Sequence, residues 1–158
     1  LEHFSDATVR EPQCPHPRDL VRFCTNLLLD SSTCYELTER TVEPDFGEAV
    51  FRQVTSGSLE SYWIGGEQAI EFWVDVYGVE VTRAFLDAGG DVYIHDGHIP
   101  CNMYIYDETV VIEDHRVNDV DRGTAIVTQD TVVREWALDV FERYQEDAKE
   151  AIPEEMVE

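Results

Sequence analysis

Lysine is almost missing from this sequence. Lys149 is the single one in 158 residues, and with ten scattered arginines it makes 11 basic residues against 34 acidic ones, a net charge of −23. Phosphate contacts need clustered Arg and Lys, so this stretch of chain is not expected to bind nucleic acid directly. Also missing is any apolar run near the roughly 18 residues of a membrane span, or a basic-then-apolar leader. No membrane partner is expected, and a cytoplasmic location is. The four cysteines, Cys14, Cys24, Cys34 and Cys101, include no Cys-x-x-Cys pair, which argues against a disulfide framework and for small buried hydrophobes. Glycine-rich phosphate loops, Gly-x-Ser-x-Gly and His-Glu-x-x-His are absent, and with them the commonest nucleotide, hydrolase and zinc-protease signatures.

What is present is apolar content. At 43% hydrophobic and 11% aromatic, the chain can bury a core and reads as one domain over residues 1–158. The acidity is therefore not that of a disordered tail. A molar-salt cytoplasm accounts for it: at 1 M salt the Debye length is about 3 Å, so surface carboxylates barely repel. A halophilic source is the expectation.

Residues 1–6 carry no pattern and read as the remnant of a linker. Ala7 to Glu11 is a candidate edge strand, and Pro12, Pro15 and Pro17 then forbid regular structure until about Arg18. Leu20, Phe23, Cys24, Leu27 and Leu28 recur at helical spacing up to Asp30-Ser31-Ser32. A strand over Tyr35 to Val42, a helix from Phe46 to Thr55 stopped by Gly57, and a strand from Leu59 to Ile64 follow. Gly65-Gly66 is expected to break that strand. Glu67 to Ala88 is a helix with Ala69, Ile70, Trp73, Val76, Tyr77 and Phe85 towards the core, interrupted at Gly78. Asp130 caps a final helix with the apolar stripe Val133, Trp136, Ala137, Val140, Phe141 and Tyr144, ended by Pro153.

Gly89 to Asp114 is the organising stretch. Val92 and Ile94 oppose Tyr93 and His95, and Met103 and Ile105 oppose Tyr104 and Tyr106, the alternation of half-buried strands. Asp96-Gly97 offers the positive φ of a turn, Pro100 marks a strand start, and Asp107-Glu108 breaks before Val110-Val111-Ile112. The whole predicts an antiparallel meander followed by a polar loop over His115 to Arg122, a strand from Gly123 to Gln129, and an α/β domain of two or three layers.

This order of a glycine pair, a strand, Asp96-Gly97, Ile99-Pro100, a strand, Tyr106-Asp107, a strand, a Gly123 strand and a helix with Glu135-Trp136 and Phe141-Glu142-Arg143-Tyr144 resembles the effector-sensing domain of archaeal winged-helix transcriptional regulators. These are the TrmB-like and methanogenesis-regulatory-protein-like families. The resemblance implies a phospholipase-D-like mixed sheet with an antiparallel meander and flanking helices, non-catalytic here. It implies a homodimer that senses an unidentified small-molecule effector without a cofactor and reaches DNA only through a winged helix preceding Leu1. Phospholipase D chemistry needs a His-x-Lys pair, and none of the five histidines is followed by lysine two places on.

Three sets of residues could form a site. Trp63 and Tyr104 could line an apolar effector pocket. Arg116 and Arg122, flanking the polar loop, could pair with an anionic effector. His95, His98 and Cys101, with Asp96 or Cys14 and His16, are transition-metal ligand types near one turn. A solvated Asp-Gly corner is the preferred reading of that third set, and a buried structural thiol that of Cys101. Two other functions remain open at this point: a winged helix-turn-helix over residues 18–65, disfavoured because Arg52 stands beside Asp45 and Glu48, and a metal- or thiol-dependent sensor or enzyme on the His95 to Cys101 turn.

Overall fold

In the computed structural model, residues 2–10, 19–39, 44–113 and 124–151 are described. Eight strands form one mixed sheet: β1 (Thr8–Arg10), β2 (Thr33–Thr38), β3 (Glu60–Gly66), β4 (Asp91–His95), β5 (Asn102–Tyr106), β6 (Thr109–Glu113), β7 (Ala125–Thr128) and β8 (Lys149–Glu150). Their order is β1-β7-β6-β5-β2-β3-β4-β8. β2, β3 and β4 run parallel, and β5 is antiparallel to β2. The helices are α1 (Asp19–Leu29), α2 (Pro44–Thr55), α3 (Glu67–Tyr77), α4 (Val79–Asp87) and α5 (Thr131–Glu146).

The result is three layers. Alternate side chains of the central strands feed two cores, because a sheet built on parallel crossovers is covered on both faces. Cys34, Trp63, Val92, Tyr104 and Tyr106 meet Cys24 and Leu28 of α1, Phe46 and Val50 of α2, Trp73 of α3 and Phe85 of α4. Leu37, Ile64, Met103, Ile105 and Val110 meet Val133, Ala137 and Phe141 of α5 on the other face, where Phe4 also packs. Every residue of β5 is buried, so this strand is central and not half-exposed as the alternation predicts.

Helix boundaries follow local chemistry. Asp130 caps α5 by accepting from the backbone N–H groups of Val132 and Val133, filling two otherwise unpaired donors. Gly78, at φ 82°, separates α3 from α4 where the interruption is expected. Two helix positions differ from expectation. Val76 on α3 and Trp136 on α5 are exposed, Trp136 at 47%; α5 is the one described α-helix on its face of the sheet, so the outer side that carries Trp136 meets no other α-helix among the described residues. α5 also ends at Glu146, and the chain turns to pair Lys149 and Glu150 with Ile94 and Tyr93; Pro153 lies outside the described residues.

The meander is displaced by one strand. β5, β6 and β7 pair in antiparallel succession, but β4 pairs with β3 and β8 instead of β5. The segment containing Asp96-Gly97 is thus a crossing connection over the ends of β3 and β2. Gly97 is needed there for closeness and not for positive φ: an added Cβ would lie 2.5 Å from Cε1 of His95. Nor does Gly65-Gly66 break β3. Both glycines pair inside it, Gly65 with Thr38 and Ile94 and Gly66 with His95. The alternative of a winged helix over residues 18–65 is also overturned, since β2 and β3 are adjacent parallel strands at the sheet's centre and α2 is the crossover between them. A wing would be an antiparallel hairpin.

Candidate functional site

The register of three central strands builds the site. Glu36 on β2 stands opposite Trp63 on β3 and opposite Tyr104 on β5, so the two aromatic candidates flank one carboxylate on a single face. Trp63 donates its indole N–H to Oγ1 of Thr38 at 2.8 Å, which fixes its ring. Tyr104 meets Phe46 edge-on, with centroids 6.3 Å apart.

Glu36 is 3% exposed. Burial raises its carboxyl from 4.5 to about 7, against a weaker lowering by the Cys34 thiol, 3.5 Å from Oε1. The cause is desolvation, which disfavours the anion when no cation stands near. Beside it lies a void of about 10 Å³ lined by Glu36, Phe46, Gly47, Val50, Ser61, Trp63, Trp73 and Phe85, the space of roughly one water molecule. Ser61 is 1% exposed and its hydroxyl has no hydrogen-bond partner. Trp73 packs on Trp63 at 5.5 Å and on Phe85 at 5.9 Å between centroids. Gly47 lets α2 approach α3 here, since a Cβ would fall 2.6 Å from Oη of Tyr77 and 2.9 Å from the Trp73 ring.

A polar network borders this pocket along β5. Glu113 accepts from Nδ2 of Asn102 at 3.1 Å and from Oη of Tyr104 at 3.4 Å, and burial raises its carboxyl despite those bonds. Burial, then the nearby Glu113, holds the Tyr104 phenol well above its ordinary value. Asn102 also accepts from the backbone N–H of Glu39 at 3.1 Å. Glu39 in turn accepts from the backbone N–H of Ile99 at 2.8 Å and lies 3.4 Å from Nδ1 of His98. These bonds fasten the crossing connection to the end of β2.

The metal candidates are not gathered. His95 turns its Nδ1 onto the backbone of Gly97 and its ring onto Tyr144, while His98 points at Glu39. Cys101 is half-buried and free of disulfide, more open than the buried structural thiol expected of it. Among the described residues no group of three or more His, Cys, Asp or Glu side chains is placed to hold a metal ion. Cys24 and Cys34 are buried; desolvation first, and the carboxylate of Glu113 next, push the Cys24 thiol up to about 12. Arg116, Arg122, Cys14 and His16 lie outside the described residues.

Glu36 and Ser61 escape the sequence reading. A polar residue between Tyr35 and Leu37 looks like the solvent side of an edge-facing strand. The one available signal is that β2, flanked by two helical segments, belongs to a sheet covered on both faces, where that side is interior too.

An α/β sheet with helices on both faces, a meander on one side and no His-x-Lys pair is a phospholipase-D-like scaffold without the residues of that chemistry. Solved structures share it. The chain matches TrmBL2, an archaeal chromatin protein described as showing a novel mode of DNA binding, at TM-score 0.71 and 11% identity over 90% of this chain and 54% of that one. It therefore spans about half the length of TrmBL2. The phospholipase D family member Nuc from Salmonella typhimurium matches at TM-score 0.66 and 10% identity, over 92% and 99% of the two chains. NucT from Helicobacter pylori does so at 0.66 and 12%, over 92% and 100%. No curated protein sequence matches the chain. Residues 17–147 match the family described as methanogenesis regulatory protein FilR1, middle domain, and the chain belongs to that family. It is a domain of a transcriptional-regulator family, and no described helix is long and apolar enough to cross a membrane.

Proposed function

We propose that this domain is the effector-sensing and dimerisation part of a transcriptional regulator, acting without catalysis, with DNA contacted by another segment of the same regulator. The family carries the regulatory half of this reading. One observation carries the sensing half: a buried carboxylate and an unpartnered buried hydroxyl share a void with aromatic walls. Stability alone does not favour such a group, because an unsatisfied buried hydroxyl and an uncompensated carboxylate both cost free energy. Trp63 is the effector-facing aromatic of the two on this reading, and Tyr104, opposite Glu36 on β5, borders the void without lining it. Arg116 and Arg122 stay the candidates for an anionic portion of the effector. The exposed outer side of α5, with Val132 and Trp136 one turn apart, is the face assigned to dimerisation.

The test uses the intact regulator. Filling the void with the one added methyl of Ser61→Thr should abolish effector-dependent change in promoter occupancy while leaving basal occupancy in place. Sedimentation equilibrium at molar KCl should give a dimer that Trp136→Glu dissociates. Promoter occupancy that responds normally in a folded Ser61→Thr variant would refute the sensing role of this pocket, and a protein that stays monomeric across the whole concentration series would refute dimerisation.

A further inference from the structure

The chemistry of the pocket narrows its ligand. Glu36 is the charged group, and its carboxyl answers only to burial and to the Cys34 thiol, so no described Arg, Lys or His neutralises it. An anion is therefore the wrong occupant. Four of the lining residues are aromatic: Phe46, Trp63, Trp73 and Phe85. Ring faces attract a cation that sheds its water easily, and organic ammonium groups suit them best. A hard metal ion would want about six oxygen ligands, and the lining supplies oxygens only from Glu36, from the unpartnered Ser61 hydroxyl and from backbone. Size sets the last limit. A void of about 10 Å³ admits a group as large as a water molecule, such as an ammonium nitrogen, and no bulky quaternary centre.

We propose that the void beside Glu36 is the site for the primary ammonium group of a small amine, with Glu36 as counter-ion, Ser61 as hydrogen-bond acceptor and the Trp63, Trp73 and Phe85 rings as walls. This rests on the sensing role proposed above and names the ligand class.

Ammonium chloride, the smallest carrier of that group, is the probe, titrated into the chain at constant total chloride with NaCl as the balancing salt. Trp136→Phe serves as the background, leaving Trp63 and Trp73, which both line the void, as the fluorophores. A saturable change in their emission with a parallel rise in Tm is expected for ammonium and not for tetramethylammonium. Glu36→Gln should weaken ammonium at least tenfold, and Ser61→Ala, whose smaller change keeps the fold, at least threefold, with circular dichroism confirming both folds. A response that is linear, equal for the two salts, or unchanged in a folded Glu36→Gln or Ser61→Ala variant would overturn the assignment, since acidic surface alone would explain it. Absence of the ammonium response while Ser61→Thr still blocks promoter control would refute the ligand class only; loss of both would refute the pocket.

Discussion

Replacing Glu36 by glutamine tests the electrostatics of the core directly. The carboxyl is 3% exposed and burial raises it from 4.5 to about 7. The folded protein therefore keeps a proton on Glu36 that the unfolded chain releases between those two values. Stability from this group is fully present below pH 4.5, falls as pH rises towards 7 and is lost above it. At about 1.4 kcal/mol per pKa unit, the loss by pH 8 is roughly 3 kcal/mol. Glutamine keeps the shape and cannot ionise, so Glu36→Gln should be near neutral at pH 4.5 and stabilising at pH 8 by roughly that amount, less the altered Cys34 contact. Urea unfolding of both proteins at several pH values, in molar KCl, reads the difference, and the many surface carboxylates cancel in it. Glu113, also raised by burial, and the buried thiol of Cys34 remain in both proteins and cancel likewise. A stability difference that does not change between pH 4.5 and 8, or a variant less stable at pH 8, would show that Glu36 has a cationic or watery environment and refute the argument.

Other outcomes follow from the same packing. Asp107, at φ 47°, accepts from the backbone N–H groups of Ser32 and Thr33 and from both hydroxyls; burial alone would raise its carboxyl, but those bonds hold it below the usual value. Asp107→Ala should cost roughly 1–3 kcal/mol by urea denaturation, and less as acid protonates the folded carboxylate. Phe141→Ala removes a ring packed beneath α5 and should cost roughly 3–5 kcal/mol, whereas Trp136→Ala should cost under about 1 kcal/mol in monomer stability and show its effect in sedimentation. The net charge of −23 should make the thermal midpoint fall steeply when KCl drops from molar to about 0.1 M, where the Debye length reaches about 10 Å; equal midpoints would remove the halophilic reading.

Local periodicity made most elements legible. The stripe Leu20 to Leu28, the alternation in Val92 to His95 and Met103 to Tyr106, the stop at Gly78 and the Asp130 cap are each decided within a few residues, and the structure has them at those places. Pairing was less legible, because Asp96-Gly97 is equally suited to a hairpin and to a loop that crosses two strands. What selects the crossing is distant: Glu39, 60 residues before Ile99, accepts from the Ile99 backbone N–H and is itself tied to the start of β5 by its own backbone N–H, which Asn102 accepts. The same limit applies to Trp136, whose spacing matches the stripe of Val133 and Ala137 but whose exposure depends on how many helices share that face. The chemistry of Trp63 and Tyr104 marks them in the sequence, yet their shared neighbour Glu36 emerges only from the register of β2 between β3 and β5.

That register also couples the pocket to the rest of the domain. An ionised Glu36 without a partner is a strained element of the folded state at neutral pH, and a cation in the void converts the same charge from a cost to an attraction. Binding and stability therefore draw on one group, so a ligand that pairs with Glu36 stabilises the domain more at pH 8 than at pH 6, where a proton already does the neutralising. The element placed to respond is α2. Its Phe46, Gly47 and Val50 line the void, its contact with α3 tolerates no Cβ at Gly47, and its first residue is held by the Tyr77 hydroxyl, which donates to the Pro44 carbonyl at 2.7 Å. On the sensing role proposed above, a change in the size of what fills the void is expected to shift α2 against α3, since close-packed helices yield as units and not by local compression. The sheet beneath, covered on both faces, would be the fixed base of that shift.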